Sequence, residues 1–174
     1  MIYRFRAILD AEEDIFRDLE ISGDATLEDL HDVISQSFGL EGQEMASFYL
    51  SNEEWHQGEE ISLFDMSESS KPVRTMQDTL IKDVASKEQT RFIYLYDFLN
   101  MWTFLVELAD MVEPEPGASY PNLMFAHGTL PPLAPERGFQ AGESLEEEDD
   151  LDADFNDDYD IEDLDNLDFD ENWN

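Results

Sequence analysis

The chain has 174 residues, of which 44 are Asp or Glu and 9 are Lys or Arg, for a formal net charge of −35 and a pI near 4.1. At 41% hydrophobic and 12% aromatic it can build the core of one domain, which excludes wholesale disorder, while the charge disfavours direct binding to a nucleic acid backbone or an anionic membrane surface. With no cysteine there is no disulfide framework, thiol nucleophile or thiolate metal site.

The first residues, Met1 to Arg6, lack the long apolar stretch of a signal peptide, and no run approaches the ~20 apolar residues of a membrane span. A soluble cytoplasmic protein is therefore expected. Tyr3, Phe5, Ala7 and Leu9 alternate with Arg4, Arg6 and Ile8. After a polar turn, Ile15, Arg17, Leu19 and Ile21 alternate with Phe16, Asp18 and Glu20. Two such period-two runs predict a β-hairpin. Ser22-Gly23-Asp24 breaks the pattern. Thr26 then makes a good N-cap, with Glu28 and Asp29 where the helix dipole favours anions. Leu27, Leu30, Val33, Ile34 and Phe38 recur at helical spacing, and Gly39 sits where a left-handed terminating residue is expected.

Met45 to Leu50 predicts a short strand, residues 52–70 a loop or irregular hairpin, and Thr79 to Val84 a helical turn. Arg91 to Tyr96 and Trp102 to Leu108 carry the aromatic, branched and alternating patterns of strands. The order suggests an α+β domain: a β-grasp-like mixed sheet of four to six strands with one main helix packed on it. Three segments follow. Residues 1–112 form the core domain. Residues 113–142 form a Pro/Gly-rich loop segment or wrap, since six of the seven prolines and four of the eight glycines lie between Pro114 and Gly142. Residues 143–174 form an acidic tail expected to be disordered, with 17 acidic side chains and no Lys or Arg.

Several residues together resemble the plasmid pRiA open-reading-frame-three-like family over roughly residues 2–135. They are Phe16-Arg17, the run from Thr26 to Ile34, Phe38-Gly39, Tyr94 to Phe98, Trp102, Tyr120-Pro121, Gly128 and Pro131-Pro132. The resemblance implies a compact α+β domain without an established biochemical activity. The chain departs from the family pattern after Asp97-Phe98, where Leu99-Asn100-Met101, Trp102, Thr103 and Phe104 replace the usual Gly-Asp, Trp and following His. It departs again before Phe48, where Met45-Ala46-Ser47 lacks the usual His. Of any Asp/His constellation, only His31 and Asp97 remain.

His31 lies beside the apolar face of the predicted helix, where an imidazole more often packs its ring than acts as a base. Asp97, at a strand end, is either its partner or a turn-former. His56 and His127 fall in predicted loops, at no metal-ligand spacing. No Gly-x-Ser-x-Gly elbow or phosphate-binding glycine loop exists, so no catalytic, cofactor or metal site is assigned and a non-enzyme is expected. Asp152, Asp154, Asn156, Asp158, Asp160 and Asp163 nearly match an EF-hand loop. Asp157 stands where glycine is needed, however, and Asp163 where a bidentate Glu is usual.

The tail interleaves apolar residues with its charge. Phe155, Tyr159, Leu164, Phe169 and Trp173 are the candidate anchors of a docking segment for a basic protein, with charge to steer and apolar groups to hold. Two alternatives stay open: a nucleic-acid mimic occupying a DNA- or RNA-binding protein, and an enzyme or metal protein centred on His31 and Asp97. Composition leaves the oligomeric state open.

Overall fold

The computed structural model describes residues 1–66 and 73–135, and those up to Pro135 belong to one unit. The elements in chain order are β1 (Ile2–Leu9), β2 (Phe16–Ser22), α1 (Leu27–Ser37), β3 (Ala46–Ser51), β4 (Gln57–Ser62), α2 (Ile81–Val84), β5 (Arg91–Tyr96), β6 (Trp102–Val112) and β7 (Asn122–His127). The seven strands form one sheet in the order β4-β3-β5-β6-β1-β2-β7, and all six neighbouring pairs are antiparallel.

This corrects the expectation of an α+β, β-grasp-like mixed sheet with one main helix. A mixed sheet needs a parallel neighbour, and the protein is instead an extended antiparallel sheet with two short helices. Alternation of side chains identifies strands but says nothing about the direction in which distant ones meet. Here the short turn at 97–101 sends β6 back antiparallel to β5. With eleven residues, β6 pairs with all of β5 on one side and with β1 on the other.

A second difference concerns residues 122–127, expected inside the Pro/Gly-rich wrap. They form β7, paired to β2 with a register shift at Asp18/Leu19. The run Asn122-Leu123-Met124-Phe125-Ala126-His127 is apolar and bounded by Pro121 and Gly128, but the surrounding density of prolines hides it.

The hairpin β1–β2 and helix α1 form as their patterns predict. Thr26 caps α1 through a reciprocal box: its Oγ1 accepts from the Asp29 amide at 3.1 Å, and Asp29 Oδ2 accepts from the Thr26 amide at 3.0 Å. Gly39 has φ +81°, the left-handed value that ends the helix. Leu27, Leu30 and Ile34 of α1 pack against Phe5, Leu19, Ile21, Phe48, Tyr94, Phe104 and Val106 of the sheet.

One cation sits inside this packing. Arg17 alternates with Ile15, Leu19 and Ile21 and shares their burial, at 7% exposure. Its Nε donates to the Ser37 carbonyl at 2.8 Å, Nη1 to those of Phe16 and His127 at 2.8 and 3.0 Å, and Nη2 to that of Gly128 at 3.0 Å. The guanidinium carbon also lies 4.6 Å from the centre of the Phe38 ring. The last turn of α1 contains no basic residue, so Arg17 supplies from β2 the positive charge that a helix C-terminus favours. Gly128 has φ +80°, and a Cβ there would lie 2.9 Å from Ile15 Cγ1 and 3.0 Å from the Asp14 carbonyl oxygen. Only glycine fits this close turn beneath the guanidinium.

On the opposite face the register places Arg4 against Glu20, Arg6 against Asp18 and Arg91 against Glu107. Each pair closes, at 3.1, 2.7 and 3.0 Å. These partly exposed pairs contribute little individually and mainly fix register.

Replacing Arg17 with Met keeps much of the apolar volume but strands four carbonyl acceptors. Urea unfolding of R17M is expected to show a loss of about 3 kcal/mol or more, with R17K intermediate because an ammonium cannot reproduce the planar fork. Unchanged stability in R17M would refute this role.

Candidate functional site

His31, on the buried side of α1, is 1% exposed. Its Nδ1 lies 2.6 Å from the Tyr94 hydroxyl oxygen, and its ring stacks on Tyr96 with centroids 6.4 Å apart. Asp32 Oδ1 stands 3.8 Å from Nε2, which favours a proton on Nε2 and leaves Nδ1 to accept from the Tyr94 O–H. Burial pulls the His31 pKa below its ordinary value, with Asp32 opposing, and pushes the Tyr94 hydroxyl well up. Both groups are therefore neutral near pH 7 and form a satisfied buried pair.

Asp97 is committed elsewhere. It has φ +63° and begins the β5–β6 turn. Its Oδ1 accepts from the amides of Leu99 and Asn100 at 3.1 and 3.4 Å, and its Oδ2 accepts from Asn100 Nδ2 at 2.6 Å. Its own carbonyl accepts from the Met101 amide at 2.6 Å. These bonds are those of a turn-forming Asp, and they present Leu99 to solvent at 93% exposure. The structure does not join His31 and Asp97: the histidine turns to Tyr94 and the carboxylate to its own loop.

His56 lies in the β3–β4 loop, with Nδ1 3.3 Å from Asn52 Nδ2. His127, expected in a loop, is the last residue of β7 and stacks on Phe16 at 5.4 Å. Among the described residues no three His, Asp or Glu are grouped to hold a metal ion, and no helix is long and apolar enough to cross a membrane. An open cleft of about 390 Å³ runs between α1 and Tyr120-Pro121, with Asp29, Asp32 and Gln36 on its helical wall. The anchors Phe155, Tyr159, Leu164, Phe169 and Trp173, and the EF-hand-like run from Asp152 to Asp163, lie outside the described residues.

Two features escaped the sequence reading. The bolt formed by Arg17 was visible only as a charged residue in phase with Ile15, Leu19 and Ile21. The other is the exposed apolar edge strand β7, where Leu123, Met124 and Phe125 are 45%, 45% and 53% exposed.

Fold and interior thus define an antiparallel-sheet protein whose distinctive buried polar groups hold the scaffold together. The chain belongs to the plasmid pRiA4b ORF-3-like protein family, whose model matches residues 1–167. The sheet is similar to the crystal structure of a protein of unknown function, MM3350, from Methanosarcina mazei Go1. The TM-score is 0.63 at 20% identity, covering 72% of this chain and 68% of that one. That likeness establishes the fold alone. No curated protein matches the chain. The family's description and the neighbour's name state no activity.

Y94F leaves His31 Nδ1 without its donor and is expected to cost about 1–3 kcal/mol in urea unfolding. For His31 itself the folded pKa lies below the unfolded value of 6.5, so the unfolded state takes up the proton first. Its contribution is complete above that value and is lost as pH falls below it. An imidazole NMR titration is expected to show His31 protonating at lower pH in the folded protein than in the urea-unfolded chain. The reverse order would contradict the buried pair.

Proposed function

We propose that the protein is a non-enzymatic, cytoplasmic interaction protein whose acidic C-terminal segment docks on a basic protein, with Phe155, Tyr159, Leu164, Phe169 and Trp173 as apolar anchors. The observation that carries this reading is the charge distribution. Residues 143–174 hold 17 carboxylates with no cation, and residues 1–142 hold 27 against 9. Such a field steers a cationic partner over distances of a Debye length, and apolar anchors then slow its departure.

The interior supports the reading by engaging the two residues on which the enzyme alternative is centred. His31 is buried against Tyr94, and Asp97 is bound into its turn. Nucleic-acid mimicry is less favoured, since the carboxylates of Glu20, Asp18 and Glu107 on the exposed sheet face are answered by arginines and do not stand as a bare phosphate-like ladder.

The test is affinity capture by the full chain at low and moderate salt, beside a variant with the five anchors changed to Ser at unchanged charge. The expected result is a basic protein retained at low salt, weakened by added salt, and lost or reduced at least about tenfold in the variant. Equal retention by both chains would refute the anchoring role.

A further inference from the structure

The two edges of the sheet differ in how they meet solvent. At one end, β4 places Glu59 and Glu60 on the edge, and charged side chains of this kind discourage strand addition. At the other end, β7 has no charged residue, and all six of its residues are exposed. Among the described residues β7 pairs with β2 alone, on one side. The alternate N–H and C=O groups on its other side face outward in extended geometry.

This edge is also held in place. Arg17 binds the His127 and Gly128 carbonyls from beneath, and on the opposite face Phe16 stacks on both Phe125 (5.8 Å) and His127. An edge strand fixed from both faces offers its hydrogen-bonding groups with little ordering entropy left to lose.

Charge selects the occupant. A second copy of the chain would bring another −35 against the first, and like-charge repulsion opposes that pairing. Glu113 and Glu115 precede the strand in the sequence, and the cations beside it are engaged, Arg4 by Glu20, Arg6 by Asp18 and Arg17 by main-chain carbonyls. We infer that β7 is a strand-addition site for an extended segment of a basic protein in which apolar and cationic residues alternate. Main-chain hydrogen bonds would supply affinity, Phe125, on the face it shares with Phe16, would receive the apolar side chains, and the acidic surroundings would hold the cationic ones. The inference rests on the basic-partner reading and adds where, and in what conformation, that partner is held.

The experiment titrates isotopically labelled full-length protein with an acetylated, amidated peptide of four Lys-Val repeats. Two controls are run beside it: the same peptide N-methylated at every second residue, and octalysine. Backbone NMR shifts and amide exchange report on β7. The expected result is slowed exchange at outward-facing amides among residues 122–127 and an affinity at least about tenfold weaker for the methylated peptide.

If methylated and unmethylated peptides bind equally while β7 is unmoved, charge alone drives contact, and the edge inference fails while the basic-partner reading survives. If no peptide, octalysine included, binds at low salt, both fail. A dimer in sedimentation that protects the same amides in the free protein would assign the edge to a second copy and overturn the proposal.

Discussion

A buried guanidinium without a carboxylate partner among the described residues is costly unless its donors are taken up by other acceptors. In this protein that requirement organises one end of the sheet. Four bonds from Arg17 reach carbonyls on β2, at the end of α1, at the end of β7 and at Gly128. Remove the fork and the helix loses the cation at its negative end, while β7 loses the tie that Arg17 makes to it from the α1 side. From Arg17 the packing continues through Phe38, which lies 4.7 Å from Phe104. Phe104 in turn lies 5.8 Å from Tyr94, whose hydroxyl meets His31. The two ionisable groups buried at either end of this path are both held in protein hydrogen bonds, which explains how an interior containing an Arg and a His remains well packed.

Several of the residues that carry the family resemblance therefore have structural duties. Arg17 bolts the sheet to the helix, Thr26 caps α1, Tyr94 satisfies His31, Asp97 forms a turn, and Gly128 allows a close approach that a Cβ would block. On the proposed reading, recognition falls to the surface. The charge there is strongly acidic, its arginines on the exposed sheet face are already paired, and an apolar strand lies open at one edge. Long-range attraction from the charge and short-range hydrogen bonding from the edge are complementary, since one acts on encounter and the other on residence.

Much of this fold is legible in the sequence because local rules govern it. The alternation around Tyr3 to Leu9 and Ile15 to Ile21, the Thr26 cap and Gly39 each follow from short-range sterics and hydrogen bonding. Topology was not legible. The antiparallel meeting of β1 with β6 depends on contacts a hundred residues apart, and β7 lacks alternation because its residues are exposed on both faces, so it reads as part of a proline-rich loop. At the candidate site, the helical phase of His31 indicated packing, but its partner, 63 residues away, did not follow from spacing. Arg17 was in phase with the core, yet a charged residue there reads equally as an exception at the surface.

Site-resolved amide hydrogen exchange on the unmodified full chain tests the central claim most directly. If Arg17 joins β7 to the sheet, the β7 amides bonded to β2 should exchange with opening free energies close to those of β2 itself, and both strands should open together. Exchange at those β7 amides orders of magnitude faster than in β2 would show that the strand opens independently, and would contradict the account of Arg17 as the interaction on which this end of the structure depends.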